Sequence, residues 1–150
     1  MVTKEKINNF LSLNSFVLAG ASRTGKKFGN TLYKELKSRN FTTYLLHYGG
    51  DDIEGEKSYK DFNSIPGNPE GLIICVNKTK TLDIIRNAYS YGIENIWIQQ
   101  MSETKEAIEY CEENNINYII KQCLLMYLDP VKGFHSFHKF INKILGKLPK

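Results

Sequence analysis

The sequence FVLAGASRTGKKFGN, residues 16–30, decides the fold because an apolar run leads directly into a Gly-rich, basic turn. The run FVLAG predicts a buried strand. The continuation FGNTLYKELKSRN, residues 28–40, repeats Phe28, Leu32 and Leu36 every four residues and predicts a helix. A strand, a tight turn and a helix in this order form the first unit of an α/β fold.

Four later segments continue the alternation of strand and helix. Further strands are predicted at residues 42–48, 72–76, 95–100 and 117–121. Helices are predicted over residues 81–92, ending at Gly92, and from a cap at Ser102 to near Asn114. Together these segments predict a doubly wound, mainly parallel five-stranded sheet with helices on both faces and an extra C-terminal helix.

Length and composition indicate one domain over residues 1–150, with a core at about 14–125 and a last helix at about 134–146. No apolar run approaches a membrane span or a secretory signal, so a cytoplasmic location is expected, without contact to a membrane. Six lysines and one aspartate give residues 121–150 a charge of +5, which leaves −1 for residues 1–120. The main body is therefore not predicted to bind nucleic acid, and the basic last helix could serve a homodimer or a protein partner.

The fold also predicts where a ligand would lie. Ligands of open parallel sheets bind beyond the carboxyl ends of the strands, which here means segments 20–29, 47–50, 76–80 and 99–101. The first of these segments opens a helix, whose N-terminal N–H groups and dipole favour an anion. Ser22 adds a hydroxyl there, and Arg23, Lys26 and Lys27 add positive charge, so the loop predicts a phosphate site.

Two familiar phosphate motifs do not fit the loop. Gly20 to Lys27 approaches a Walker A loop, but Lys27 occupies the place of the metal-binding hydroxyl, and no later strand ends in an acidic residue. A nicotinamide site would have an acidic residue at the end of the second strand, where the sequence has His47-Tyr48-Gly49. A ligand with a phosphate on its ribose suits this less acidic end, which leaves NADP and coenzyme A equally open.

The chain resembles the small stand-alone CoA-binding proteins, whose domain is similar to the N-terminal domain of the succinyl-CoA synthetase alpha subunit. The resemblance covers nearly the whole chain from about Phe16. It is carried by GASRTGKKFGN after the first strand, GEKSYKDFNSIP before the third, YGIENIWIQQ around the fourth and QCLLMY after the fifth. It implies a Rossmann-like domain that binds coenzyme A or an acyl-CoA without catalysis of its own.

The resemblance and the strand ends together give a set of candidate ligand-binding residues. These candidates come from the turn under the phosphates, the neutralising cations and the start of the helix. Others come from the ends of the second, third and fourth strands. The candidates are Gly20, Ala21, Ser22, Arg23, Lys27, Phe28, Gly29, His47, Tyr48, Val76, Asn77, Lys78 and Gln99. The adenine is expected between the ends of the second and third strands, and the pantetheine near residues 99–101.

The sequence gives little support for catalysis or a metal. His47 is the only histidine at a predicted site position, and no paired carboxylates or Ser-His-Asp order accompany it. His135 and His138, with Cys123 upstream, lack a further ligand, so no zinc is expected. An NADP-dependent oxidoreductase and an interaction module related to acyl-CoA ligases are the alternative functions.

Overall fold

The computed structural model describes residues 1–128, which form an α/β fold around one six-stranded sheet. The strands are β1 (Ser15–Ala19), β2 (Thr42–Leu46), β3 (Ser58–Tyr59), β4 (Gly71–Ile74), β5 (Asn95–Gln99) and β6 (Asn117–Gln122). All neighbouring pairs are parallel. The predicted fold class is confirmed, with one strand more than the five expected.

The additional strand, β3, contains only two residues, which pair with Leu45 and Leu46 of β2. Polar residues flank it on both sides, so it produces no apolar run that a sequence pattern could detect. The predicted third, fourth and fifth strands are therefore β4, β5 and β6. The strands β2 and β4 also end two residues earlier than predicted, so His47, Tyr48, Cys75 and Val76 lie in the turns that follow them.

Four helices accompany the sheet: α1 (Lys4–Leu11), α2 (Phe28–Ser38), α3 (Thr81–Tyr91) and α4 (Lys105–Glu113). The helix α1 was not predicted, and it is capped by Thr3, whose hydroxyl accepts a hydrogen bond from the Lys6 N–H at 3.2 Å. The predicted end of α3 is confirmed, because Gly92 has the left-handed φ of 109° that follows many helices. The predicted C-terminal helix at 134–146, with His135 and His138, lies outside the described residues.

The predicted cap of α4 is wrong by two residues. Thr104, not Ser102, caps the helix, and its hydroxyl accepts a hydrogen bond from the Ala107 N–H at 3.1 Å. Ser102 is buried and instead donates its hydroxyl to the Val76 carbonyl at 2.8 Å. Ser102 therefore connects the turn after β5 to the turn after β4.

The strand order β3-β2-β1-β4-β5-β6 places β1 and β4 at the centre, where the direction of winding reverses. Successive side chains of β1 face opposite sides, so Phe16 and Leu18 belong to one core cluster and Val17 to the other. The first cluster also contains buried residues of α1 and α2, and the second those of α3 and α4. The helices thus cover both faces, which confirms that part of the prediction and leaves the carboxyl ends of the strands as one open edge.

Candidate functional site

The loop after β1 passes unusually close to the neighbouring strand. Gly20 has a φ of 125°, and a Cβ at this position would lie 2.1 Å from the carbonyl oxygen of Cys75. A side chain is therefore excluded both by the backbone conformation and by contact with the main chain after β4. The glycine allows the loop to turn directly above the gap between β1 and β4.

A second glycine allows α2 to begin against this loop. A Cβ at Gly29 would lie 2.4 Å from the carbonyl carbon and oxygen of Gly20. The helix carries neither a capping side-chain hydrogen bond at Lys27 nor an acidic residue in its first turn. The positive end of the α2 dipole therefore lies at the loop, and no acidic side chain in the first turn of the helix neutralises it.

The buried side chain of Asn30 fixes the shape of the loop. Its amide oxygen accepts a hydrogen bond from the Ser22 N–H at 3.0 Å, and its amide nitrogen donates to the Ser22 carbonyl at 2.8 Å. The same nitrogen donates to the Glu54 carboxylate at 2.9 Å. Sequence reasoning did not select Asn30, although an Asn in the first turn of a helix behind a Gly-rich loop is a detectable signal.

The cleft at the ends of β1, β2 and β4 has a volume of about 320 Å³ and contains most of the predicted site. The lining residues come from the loop, from the turns after β2 and β4, and from the start of α3. The predicted residues among them are Gly20, Ala21, Ser22, Lys27, His47, Tyr48, Val76 and Asn77. Residues that line the cleft but were absent from the predicted set are Ala19, Leu46, Gly49, Cys75, Lys80 and Ile84.

Three predicted residues near the loop lie beside the cleft rather than along it. Gly29 is buried below the loop, and Phe28 is partly exposed at the start of α2. Arg23 is largely exposed and directs its Nε towards Asp51 Oδ2 at 3.5 Å. The Gly-rich turn between β1 and α2 is thus present, and Arg23, one of its predicted cations, is paired with a carboxylate.

The remaining two predicted residues face elsewhere. Lys78 lines a separate shallow groove with Thr104 and Lys105, while Lys80, two residues further, lines the cleft. Gln99 is buried, and its side-chain oxygen accepts a hydrogen bond from the Leu124 N–H at 3.1 Å. Gln99 therefore connects the end of β5 to the turn after β6.

The charges around the cleft favour an anion. Lys27 and Lys80 line it, and none of the described residues that line it is acidic. The carboxylate of Asp51 lies outside the lining, with Oδ2 4.0 Å from His47 Nδ1. His47 Nδ1 is itself buried and has no hydrogen-bond partner among residues 1–128.

A second carboxylate supports the loop from behind. Glu54 accepts the hydrogen bond from Asn30 and forms an ion pair with Lys34 at 3.2 Å. These two partners, first Asn30 and then Lys34, lower the pKa of Glu54 below its ordinary value. The Glu54 carboxylate is therefore ionised at neutral pH, and it anchors the side chain that shapes the loop.

Of the three cysteines, Cys75 is the one that lines the cleft. Its burial, and to a lesser extent the nearby Cys123, raise the pKa of the Cys75 thiol to about 11, although Lys27 acts in the opposite direction. The thiol is therefore protonated at neutral pH and a poor nucleophile. Cys123 is buried in the core.

No group of three or more His, Cys, Asp or Glu side chains in residues 1–128 is arranged to hold a metal ion. No helix in the same part of the chain has the length and apolar character needed to cross a bilayer.

A comparison with known families identifies the class of protein that this fold and cleft define. The family described as "CoA binding domain" matches residues 14–129, more than half of the chain. The chain therefore belongs to the CoA-binding domain family, as the sequence resemblance implied.

One curated relative is a subunit of a larger enzyme. The chain is 23% identical over 129 residues to the alpha subunit of acetate–CoA ligase [ADP-forming] II from Pyrococcus furiosus. The match covers 79% of this chain and 28% of the ligase subunit. The chain thus spans less than a third of the length of that relative.

Solved structures show the same architecture in chains of two sizes. A conserved hypothetical protein from Pyrococcus furiosus is 26% identical, with a TM-score of 0.69, over 74% of this chain and 96% of its own. The apo form of a dinucleotide-forming acetyl-coenzyme A synthetase 1 from Ca. Korarchaeum cryptofilum is 18% identical, with a TM-score of 0.60. The latter match covers 74% of this chain but 26% of the synthetase, and at this identity it shows the fold alone.

Proposed function

We propose that the protein binds coenzyme A or an acyl-CoA in the cleft at the ends of β1, β2 and β4. The observation that carries the proposal is the cationic character of this cleft, with Lys27 and Lys80 in its lining beside the open N-terminus of α2. Coenzyme A carries a pyrophosphate and a ribose phosphate, so it needs several positive partners at one place. Membership of the CoA-binding domain family supports the same ligand.

The pyrophosphate would rest on the loop formed by Gly20, Ala21 and Ser22. The Ser22 N–H is engaged by Asn30, so its hydroxyl and the neighbouring backbone would face the ligand instead. Lys27 would neutralise the pyrophosphate from the start of α2, and Lys80 would act from the opposite wall of the cleft. Arg23 could join them by leaving Asp51, since the pair is exposed and its ion pair is weak.

The pantetheine arm would leave the cleft towards the turn after β5. Met101 in this turn is 88% exposed and has a φ of 72°, and it would offer the arm an apolar surface. Gln99 would support the exit from within the fold rather than contact the arm, because its side chain is held by Leu124.

We also propose that binding is not accompanied by catalysis. Among the described residues of the cleft, His47 supplies an imidazole and Cys75 a thiol. The raised pKa of Cys75 makes its thiol a poor nucleophile at neutral pH, and the His47 ring has no hydrogen-bond partner among residues 1–128 to orient it. Incubation of the protein with acetyl-CoA should therefore leave the thioester intact. Release of free CoA during the incubation would contradict the proposal.

Isothermal titration with CoA, acetyl-CoA, NADP and ATP tests the proposed ligand. We expect binding of CoA and acetyl-CoA, and weaker or no binding of the other two nucleotides. Binding of NADP without CoA would contradict the proposal and restore the oxidoreductase alternative. Mass spectrometry of the natively purified protein for a bound ligand would give an independent answer.

The likeness to a ligase subunit favours a second candidate, a CoA-binding module that works with a separate partner chain. In this case the basic segment at residues 134–150 would contact the partner. A complex recovered by pulldown, and lost when residues 134–150 are deleted, would support this function. Unchanged recovery after the deletion would remove the segment from the proposal.

A further inference from the structure

A second cavity of about 280 Å³ adjoins the cleft. The two cavities share Leu46 and Tyr48, which come from the end of β2 and the turn after it. From there the second cavity extends between the turn after β3 and the side of α3. A ligand in the cleft could therefore continue into this cavity past Tyr48.

The lining of the second cavity includes a fixed aromatic pair. The rings of Phe62 and Tyr91 have centroids 5.8 Å apart, and the Tyr91 hydroxyl donates to the Gly67 carbonyl at 3.1 Å. Phe62 is buried, whereas Tyr48 is 57% exposed. A flat ring with apolar faces could pack against these aromatic side chains.

The polar groups of the cavity are mostly uncharged and available. Within residues 1–128, the side chains of Asn63, Asn87 and Ser90 form no hydrogen bond to the protein. Asp61 accepts a hydrogen bond from the Ser64 N–H through Oδ1 at 2.8 Å, which leaves Oδ2 for a ligand. None of the described lining residues is Lys or Arg, in contrast to the cleft.

This chemistry excludes a phosphate and disfavours an acyl chain. A phosphate would meet the Asp61 carboxylate without a cation, and an acyl chain would cover the amides without pairing them. A ring that combines apolar faces with an edge of donors and acceptors satisfies both the aromatic and the polar groups.

We propose that the second cavity binds the aminopurine base of the nucleotide, and that Asp61 accepts a hydrogen bond from the exocyclic amine of the base. Asn63 and Asn87 donate to the ring nitrogens, and Phe62 packs against the ring. The base then lies on the β3 side of β2 rather than between β2 and β4, where the sequence analysis expected it. This inference rests on the proposed function, since the phosphates of the same nucleotide occupy the cleft.

Titration of the full chain with CoA and with its hypoxanthine analogue, in which a carbonyl replaces the amine, tests the base site. The unaltered protein should bind CoA about tenfold more tightly or better, because a hydrogen bond to a charged acceptor is lost in the analogue. Asp61→Asn keeps an acceptor for Ser64 but adds a donor for the carbonyl, so the preference should vanish or reverse. Asp83→Asn, on the exposed surface of α3, is the matched control and should keep the preference for CoA over the hypoxanthine analogue.

A second variant tests the site without relying on Asp61. Asn87→Leu should weaken CoA binding and leave the affinity for 4′-phosphopantetheine, which lacks the base, unchanged. Equal binding of CoA and the hypoxanthine analogue by the unaltered protein would overturn the base site and leave CoA binding standing. Failure to bind CoA at all would overturn the proposed function, and the base site with it.

Discussion

The loop after β1 and the segment between β2 and β3 border the same cleft but are held in different ways. In the loop, Gly20 and Gly29 contact backbone atoms directly, and Asn30 bonds both polar groups of the Ser22 main chain. In the segment 47–57, three residues have positive φ, and an isolated bridge joins Ile53 to Glu56. The ends of the loop are held by close backbone contacts at Gly20, Ser22 and Gly29, whereas the segment is held by a few separate anchors.

In the proposed site, this difference separates a part that tolerates few substitutions from a part that tolerates more. Phosphate groups are common to many nucleotides, so a rigid loop suits them. The base and ribose distinguish one nucleotide from another, and they would meet the segment after β2 and the turn after β3. Substitutions should therefore be most harmful in the loop and should alter ligand preference more often in the segment.

The largest effect is expected for Gly20→Ala. The added methyl group would meet the Cys75 carbonyl and force a positive φ on alanine, so we expect a loss of about 3 kcal/mol or more in the free energy of unfolding. Urea denaturation followed by circular dichroism measures it. Gly55→Ala is the matched control, since Gly55 has a φ of 75° but no atom within 4 Å of the added methyl group.

The control separates backbone strain from steric contact. Gly55→Ala should lower the free energy of unfolding by about 1 kcal/mol, which is the cost of the strained φ alone. Equal losses at the two glycines would show that the close approach of the loop to β4 contributes nothing, and the contrast between the two regions would fail.

The second effect concerns the side chain that shapes the loop. Asn30→Ala would leave the partly buried N–H and carbonyl of Ser22 without these partners. We therefore expect the free energy of unfolding to fall by about 2 kcal/mol. Asn63→Ala in the turn after β3 removes an exposed side chain without internal hydrogen bonds and should change stability by less than about 0.5 kcal/mol. Thermal or urea unfolding of both variants gives the comparison, and similar losses would contradict it.

The third effect is on affinity rather than stability. Lys27→Ala should weaken CoA binding by about 1–3 kcal/mol if a charged hydrogen bond to a phosphate is lost. Lys26→Ala, one residue earlier and absent from the lining of the cleft, should bind CoA nearly as well as the unaltered protein. Isothermal titration of the two variants decides the point, and equal affinities would remove Lys27 from the phosphate site.

Sequence patterns predicted the parts of this molecule that depend on local apolar periodicity. The five longer strands and the helices α2, α3 and α4 have such patterns, while β3, with two residues between polar neighbours, has none. The cap of α4 shows the same limit. Ser102 and Thr104 are both good capping residues, and only the hydrogen bond from Ser102 to Val76 across the sheet decides between them.

The site was predictable by position and less so by side-chain direction. The rule that ligands bind beyond the strand ends selected four segments. Residues of three of them, 20–29, 47–50 and 76–80, meet in the cleft, whereas none of residues 99–101 lines it. The rule could not distinguish Lys78 from Lys80, because the short turn at Lys78–Lys80 directs the two side chains to different grooves. It also could not show that Leu124, distant in sequence, holds the Gln99 side chain inside the fold.

The smallest expected effect concerns Glu54, whose carboxylate connects the segment after β2 to the loop after β1. Hydrogen bonds from Asn30 and Lys34 lower its pKa in the folded state, so the unfolded chain binds its proton at a higher pH than the folded chain does. The resulting stability is fully present above the unfolded pKa of about 4.3, and it is lost as the pH falls through the lower, folded pKa.

Glu54→Gln should therefore flatten the dependence of the unfolding free energy on pH below about 4.3. At neutral pH the change should be modest, because glutamine retains an oxygen that can accept from Asn30. Glu94→Gln is the matched control, since the exposed Glu94 carboxylate forms no hydrogen bond to any of residues 1–128. Urea titrations between pH 3 and pH 7, about the range set by the carboxylate pKa, give the two slopes. An unchanged slope in Glu54→Gln would mean that the segment after β2 does not stabilise the loop through this carboxylate, and that the rigidity of the loop comes from the glycine contacts and Asn30 alone.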